Sequence, residues 1–566
     1  MTRTGPFEFT HQTKTPAEYR WHRFFCVLPA FLSWSILISA TVFSFTRPLT
    51  AAIFIIALDI YWLMRIFYMT IFLALAYGVL AVEKETDWIA RCHELESGTK
   101  VLPGLRVRRA EALRARKFRQ FFVLNNQIRE LKKIFRHPAV VPPFDSIYHV
   151  VIIAASKEGR EVLEPGLKAL AHTQFPASRL LPVLAVEARA GESHTRIAHE
   201  LKKQYQSHFF QFLVAEHPDG TPGEGRVKGA NVTYAAKEAA RFLEAHKIPF
   251  KNVIVSCFDA DTVASPEYFM ALTYHFMRHP KRERASFQPI PVYHNNIMHV
   301  PAFARVLETG SSFFQLIEAT NPEKLVTFSS HSMSFNALVE IGYWPVDMIS
   351  DDSAIFWKAL IHYGGDYRVV PMYVTLSMDV AAADSLWKTL VMIYRQKLRW
   401  ACGVENIPIV FRAFLKEKRI SVWNKFRYVV KLIEMHISWS TLGFLITFIG
   451  WLPAISASRE FSSSVLYYNS PRITSLIFNL ASANLIVTII LALLLLPKEV
   501  GRLPLHKRLA LASEWLLIPF IFTFLSSMPA LDAQTRLARG KMMEFRVTEK
   551  AGRSRKSQTR KREKSK

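Results

Sequence analysis

Five long apolar stretches stand at the two ends of this chain, and none stands between. They run over about Phe24–Phe45, Ala51–Val82, Lys431–Ile455, Ile473–Leu496 and Leu509–Leu531. A hydrocarbon core of ~30 Å needs about 20 apolar residues in a helix, so each stretch is long enough to cross one. From Ser146 to about Gly403 no apolar run reaches that length. The chain therefore reads as spans, a water-exposed domain of about 260 residues, and further spans. The first stretch has a long polar leader and no small-residue cleavage site after it, which favours an uncleaved anchor over a signal peptide. The second carries Asp59 and Arg65, which at that depth should face protein, pair, or mark a bend.

The 566 residues carry a formal net charge of +26 and are half apolar. That much apolar sequence excludes disorder as the main state. Four scattered cysteines exclude a disulfide scaffold and give no zinc pattern. A basic excess suggests nucleic acid or an anionic membrane surface, and its placement decides. Lys100–Arg136 holds twelve Lys/Arg against two Glu, and the tail Lys541–Lys566 holds eleven against three. Both flank apolar stretches, and no nucleic-acid motif accompanies them, so membrane lipids are the expected partner and nucleic acid is not. Phe118, Phe121, Phe122, Leu124, Ile128, Leu131 and Ile134 recur at helical spacing within the first segment, which predicts a basic amphipathic helix on a leaflet. The positive-inside rule puts the N-terminus, this linker and the tail in the cytoplasm. The loop Pro497–Arg508 is basic too, which conflicts with a single crossing by Leu509–Leu531. Pro519 and Pro529 suggest that this block bends into a re-entrant hairpin; the other option places the short loop outside.

Between the spans, strand-like runs alternate with helical ones. Strands are expected at Tyr148–Ala154, Leu181–Val186, Phe209–Val214 and Asn252–Phe258, with helices near Val162–Ala171, Thr195–Gln206 and Ala230–Ala245. That alternation predicts an α/β domain with a mostly parallel sheet. Asp259 and Asp261 follow the fourth run directly, where a strand ends and where such sheets bind ligands. Two carboxylates one residue apart suit Mg²⁺ or Mn²⁺. Lys228 and Gly229 open a helix, a place suited to a phosphate. Ser350-Asp351-Asp352 and Gln396-Lys397-Leu398-Arg399-Trp400 follow, and the tail carries Phe545-Arg546-Val547-Thr548-Glu549-Lys550.

In this order, Lys-Gly-x-Asn, D-x-D, an acid triplet, Q-x-x-R-W and F-x-V-T-x-K, the chain resembles the processive membrane-embedded family 2 glycosyltransferases, which include bacterial cellulose synthase catalytic subunits and hyaluronan and chitin synthases. The resemblance covers about Tyr148 to Lys550. It implies a Rossmann-like GT-A-type α/β domain in the cytoplasm, flanked by transmembrane helices in a multi-pass inner-membrane protein. It implies an inverting transferase with Mg²⁺ or Mn²⁺ as cofactor, a nucleotide-sugar donor, expected to be UDP-linked, and a growing glycan as acceptor. The organisation that follows is a membrane region over 1–83, a basic linker over 84–145, the transferase domain over 146–380, Q-x-x-R-W and interfacial helices over 381–430, a second membrane region over 431–533, and a basic tail over 534–566.

By resemblance, Asp259 and Asp261 bind the donor diphosphate and its metal, Asp352 is the general base, and Lys228 and Arg399 lie near the diphosphate. Gln396 and Trp400 line the acceptor end, and Thr548 and Lys550 close over the nucleotide. Glu187 falls where the family has a nucleobase-contacting acid, and Glu158, after the first strand, is a candidate for ribose or base. The chemistry agrees: in-line displacement needs a base on one side and a neutralised leaving group on the other, a planar arginine suits phosphate, and an indole face suits a sugar. The chain departs from the family in Asp351, which competes with Asp352; in Val186-Glu187-Ala188-Arg189, which replaces an Asp-rich turn; and in His331, a candidate sugar contact or an ordinary structural histidine. Gln288-Pro289 is a possible acceptor-facing turn, Cys402 reads as core, and Trp423, Phe426 and Tyr428 with Lys425 and Arg427 read as an interfacial helix. The rival readings are a non-processive transferase acting on a polyprenyl phosphate or other lipid, and an inactive membrane scaffold or transporter.

Overall fold

The computed structural model describes residues 7–136, 141–455 and 465–541. Its centre is an eight-stranded sheet: β1 Tyr148–Ala155, β2 Leu180–Glu187, β3 Leu213–His217, β4 Val253–Asp259, β5 Val263–Ala264, β6 Ala285–Val292, β7 Ser332–Ser334 and β8 Arg368–Ser377. The strand order is β3-β2-β1-β4-β7-β6-β8-β5. The four strands β3, β2, β1 and β4 are parallel, and β7 joins the sheet antiparallel between β4 and β6. β1 shows why its run is almost wholly apolar. Val151 and Ile153 enter the core on one face, under helices Arg160–Ala171 and Tyr268–Arg278. Val150 and Ile152 enter the core on the other, under helices Lys228–Ala245 and Asp351–His362. A parallel strand covered on both faces has no polar side to alternate with.

Among the described residues, four helical runs are long and apolar enough to cross a membrane: Pro16–Thr46, Pro48–Glu83, Val422–Thr447 and Leu505–Ala538. The stretch expected over Ile473–Leu496 lies in helix Val465–Leu495, whose apolar part among the described residues is the shorter Ala483–Leu495. Polar and small residues join these helices. Ser33 Oγ donates to Gln534 Oε1 at 2.7 Å and lies 2.8 Å from Ser440 Oγ. Gly443 lets Val422–Thr447 approach the last run closely, since a Cβ there would meet Ser527 Oγ at 2.8 Å and the Phe522 carbonyl at 2.9 Å. In that last run Ile521–Ser527 is π-helical.

Two expectations are corrected. The basic linker is not one helix on a leaflet. It forms Leu102–Arg114 and Phe118–Arg136, broken where Arg116 takes φ +55° and closes the first helix as a left-handed cap. Leu105, Ala112, Leu124, Ile128 and Leu131 pack into the same core as β1, so the apolar face is spent on protein; Phe118 and Phe122 stay exposed. The block Leu509–Leu531 does not turn back as a hairpin. It lies in the continuous helical run Leu505–Ala538, with Pro519 and Pro529 in the first turns of successive helical segments, where a missing N–H costs little.

Candidate active site

The parallel half of the sheet reverses direction at β1, with β2 on one side and β4 on the other. Ligands bind outside the carboxyl ends of strands at such a point. Here those ends carry Ser156 and Glu158 after β1, Glu187 at the end of β2, and Asp259 at the end of β4. Asn231 holds the first two strands in register from below, donating to the Ala155 carbonyl at 3.3 Å and the Ala185 carbonyl at 2.9 Å. Two residues earlier on the same helix, Gly229 packs so tightly on the loop before Asp352 that a Cβ would lie 2.1 Å from the Pro345 carbonyl oxygen. That contact is the physical reason for the glycine after Lys228.

Lys228 ties the site together. Its ammonium donates to Asp259 Oδ1 at 2.8 Å and to Asp352 Oδ1 and Oδ2 at 3.0 and 3.2 Å. Burial works to lower its pKa, but the carboxylates of Asp259 and Asp352 outweigh burial and hold it well above the usual lysine value. The Ser329 hydroxyl donates to Asp259 Oδ2 at 2.5 Å, and the Asp379 N–H donates to Asp261 Oδ2 at 2.9 Å. Among the described residues no group of three or more His, Cys, Asp and Glu side chains forms a closed metal cage. Two carboxylates at a cavity wall still fit Mg²⁺ or Mn²⁺, which take hard oxygen ligands and complete their shells with water and substrate phosphate.

Asp352 lies in the first turn of helix Asp351–His362, and its side chain is one-quarter exposed. Asp351 beside it is buried, and burial, reinforced by the Asp352 charge, raises its pKa well above the carboxylate range. The two acids that competed in the sequence are thus unlike: Asp351 is buried, whereas Asp352 keeps a quarter of its side chain exposed. His331 needs correction as an acceptor contact. It is fully buried behind Asp352, with Nδ1 3.8 Å from Asp352 Oδ1, and is not on the cavity wall. Burial pushes its pKa down to about 4, so the imidazole is neutral and Nδ1–H donates to the Phe328 carbonyl at 3.2 Å. Gln288 is enclosed as well; its Oε1 accepts from the Phe328 N–H at 2.7 Å and so steadies the same loop. Ser330 in that loop takes φ +59°, a strained turn for a non-glycine residue.

Gln396, Arg399 and Trp400 project from helix Leu386–Ala401 into the cavity that Asp259, Asp261 and Asp352 line. Its volume is about 660 Å³. Trp400 packs edge-to-face on Phe328, with centroids 5.6 Å apart. At the ends of β1 and β2, Glu158 accepts from the Ser156 N–H at 2.6 Å, and Glu187 accepts from the Ser156 hydroxyl at 3.1 Å and pairs with Arg189. Beyond Trp400 the cavity continues between the long apolar helices, past Arg65, Trp439, Trp515 and Phe522. Thr548 and Lys550 lie outside the described residues. The expected interfacial cluster divides: Trp423 and Phe426 are exposed, whereas Tyr428 is buried against Trp357. Cys402 is only half-buried.

The sequence reading missed the ion pair under Trp400. Lys397 Nζ donates to Glu308 Oε2 at 2.9 Å and Ser311 Oγ at 3.0 Å, and lies 3.5 Å from the centroid of the Trp400 ring. Helical spacing carried a signal, because Lys397 falls four residues after Ile393 and eight after Thr389, on the buried side of its helix.

Residues 254–497 match the family model described as glycosyl transferase family group 2. A poly-β-1,6-N-acetyl-D-glucosamine synthase from Staphylococcus epidermidis is 22% identical over 293 residues, 50% of this chain and 62% of that protein. The synthase of the same name from Staphylococcus aureus strain COL is 26% identical over 196 residues, 33% of this chain and 44% of that protein. The chain thus spans less than two thirds of these relatives' length. Among solved structures, the mannosyltransferase PcManGT from Pyrobaculum calidifontis with GDP-mannose and Mn²⁺ overlaps 74% of this chain and 98% of its own, at 12% identity and a TM-score of 0.37. S. aureus TarS 1–349 with UDP-GlcNAc overlaps 71% and 94%, at 13% identity and 0.33. These overlaps are too loose to assign a substrate. Residues 254–497, which include five strands of the eight-stranded sheet, are thus similar to the family 2 glycosyltransferases.

Proposed function

We propose that this protein is an inverting glycosyltransferase that moves a sugar from a nucleotide-diphosphate donor to a growing polysaccharide and feeds the product into the membrane region. The observation that carries the reading is Lys228, which bridges the first acid of the D-x-D and Asp352 in one cavity with Gln396, Arg399 and Trp400. In-line displacement at an anomeric carbon requires a base and a stabilised leaving group around one reacting centre, and Asp352 and Asp259 share one ammonium in one cavity. Asp352 takes the acceptor hydroxyl proton, a contribution of about 10²–10⁴ in rate. Lys228 and Arg399 hold the diphosphate oxygens and spread the leaving-group charge. Asp259 and Asp261 are the residues that would hold Mg²⁺ or Mn²⁺, and the ion would supply Lewis-acid neutralisation of the leaving group. Trp400 offers an aromatic wall to the acceptor sugar, and Gln396 a hydrogen-bonding amide. The donor expected is UDP-linked, and the polymer in the relatives' names puts an N-acetylglucosamine donor first on a trial panel. The cytoplasmic side is assigned to the domain because its linker is strongly basic.

A second reading, a single transfer to a lipid-linked acceptor, draws support from the same cavity, which reaches Arg65 and Lys431 between the spans. One experiment separates them. Membranes holding the protein are incubated with a panel of nucleotide sugars plus Mg²⁺ or Mn²⁺; nucleoside diphosphate release and product length are followed. Long products support processive synthesis, a single-sugar lipid product supports the second reading, and no release from any donor refutes both.

A further inference from the structure

Directly after the helix that carries Gln396, Arg399 and Trp400, the chain enters a short turn holding Glu405 and Asn406. Both are buried, and both reach back some fifty residues to the turn that launches the Asp351–His362 helix. Glu405 Oε1 accepts from the Ile349 N–H at 3.0 Å and the Ser350 N–H at 2.8 Å. Asn406 Nδ2 donates to Ser350 Oγ and Ser353 Oγ, each at 3.1 Å, and to the Gly403 carbonyl at 2.9 Å. Ser350 makes no side-chain cap of its own to this helix. An ionised acceptor on two backbone N–H groups is a strong, directional hold.

We infer that Glu405 and Asn406 are positioning residues that lock Asp352 at a fixed place relative to the Gln396–Trp400 wall. The inference rests on the transferase reading above. Neither side chain has to touch substrate. They act through the turn: the segment that ends the acceptor wall also anchors the segment that begins the base. The hold extends to the chain's N-terminal segment. His11 Nε2 lies 3.3 Å from Glu405 Oε2, Thr10 donates to Asp347 Oδ2 at 2.6 Å, and Arg412 donates to the Thr10 carbonyl at 2.6 Å. The stretch before the first span is thereby strapped onto the base-bearing loop.

The test uses the full-length protein in detergent or nanodiscs, with nucleoside diphosphate release as the readout. A misplaced base slows chemistry while leaving donor binding alone, so Glu405→Ala should lower kcat by about 10- to 100-fold, with donor KM held within about twofold. Glu405→Gln keeps an amide oxygen for the two N–H groups and should restore most of the rate. If Glu405→Ala does not fold, Asn406→Ala carries the test, with the same split of kcat from KM expected. The inference is overturned if the alanine variants match wild type, or if Glu405→Ala and Glu405→Gln lose equal activity with a raised donor KM. If wild type itself turns over no donor, the transferase reading fails instead.

Discussion

Lys397 and Glu308 form the most enclosed ion pair of the site, with side chains 3% and 1% exposed. Replacing Lys397 by Met keeps the volume roughly and removes the ammonium. Glu308 is then a carboxylate in a dry pocket, and breaking a buried pair from one side costs about 3–5 kcal/mol. The ammonium also sits 3.5 Å from the Trp400 ring centroid, a desolvated cation–π contact of about 2 kcal/mol that goes with it. For a domain of this size one-sided removal should lower the melting temperature on the order of 10 °C. Replacing both partners, Lys397→Met with Glu308→Leu, removes the stranded charge, and such apolar replacements are often neutral. The assay is a double-mutant cycle on purified protein, followed by thermal melting and by turnover. The expected result is strong coupling: the double variant melts well above either single one, yet binds acceptor more weakly because Trp400 has lost its backing. Additive effects, with a coupling under about 0.5 kcal/mol, would refute the claim that the two charges act as one unit.

Asp352→Asn should cut turnover by about 10²–10⁴ without unfolding the protein, measured as nucleoside diphosphate release beside a melting curve. Gly229→Ala drives a Cβ into the Pro345 carbonyl, so overpacking of about 1–3 kcal/mol and loss of turnover are expected together, and a variant of wild-type stability and rate would contradict the packing. Burial pushes the pKa of His149 and His275 down to about 3 and that of His331 to about 4, against about 6.5 in the unfolded chain. The fold holds the neutral forms, so this stability is fully present above about pH 6.5 and is lost as pH falls through about 4 to 3; melting temperatures between pH 7.5 and 5 should drop, and less steeply in His331→Asn. Chelation should abolish turnover and added Mg²⁺ or Mn²⁺ should restore it, while full activity in chelator would exclude the metal role given to Asp259 and Asp261.

The parallel half of the sheet was readable because β1, β2 and β4 are buried on both faces and leave mostly apolar runs, β2 ending in Glu187 and β4 in Asp259. β3 was misplaced. The run Phe209–Val214 looked like a strand, but Phe209 and Phe212 are buried in the loop ahead of it, and the strand is Leu213–His217. Apolar periodicity reports burial, and a loop can use it as well as a strand. The linker misled for a related reason: its stripe of Phe, Leu and Ile fits a membrane or a protein core equally, and only tertiary contact shows which. At the site, the short motifs mark the ends of strands and helices and so were visible locally. Glu405, Asn406 and the Lys397–Glu308 pair work across 50 to 90 positions, and the order of a single chain does not announce such partners.

The π-helical stretch Ile521–Ser527 faces two ways, with Phe522 and Ser526 on the cavity wall and Ser527 against Gly443. A wider turn sets the angular phase of everything that follows it. An α-helix advances about 100° per residue and the wider π-turn less, so rewinding Ile521–Ser527 as α-helix with no residue removed would swing Met528–Ala538 about the helix axis. Gln534 would then leave Ser33, and Trp34 would lose Thr535. The stretch therefore works as a rotational offset between two stacked surfaces, one turned to the passage between the helices and the other to the first helix of the chain.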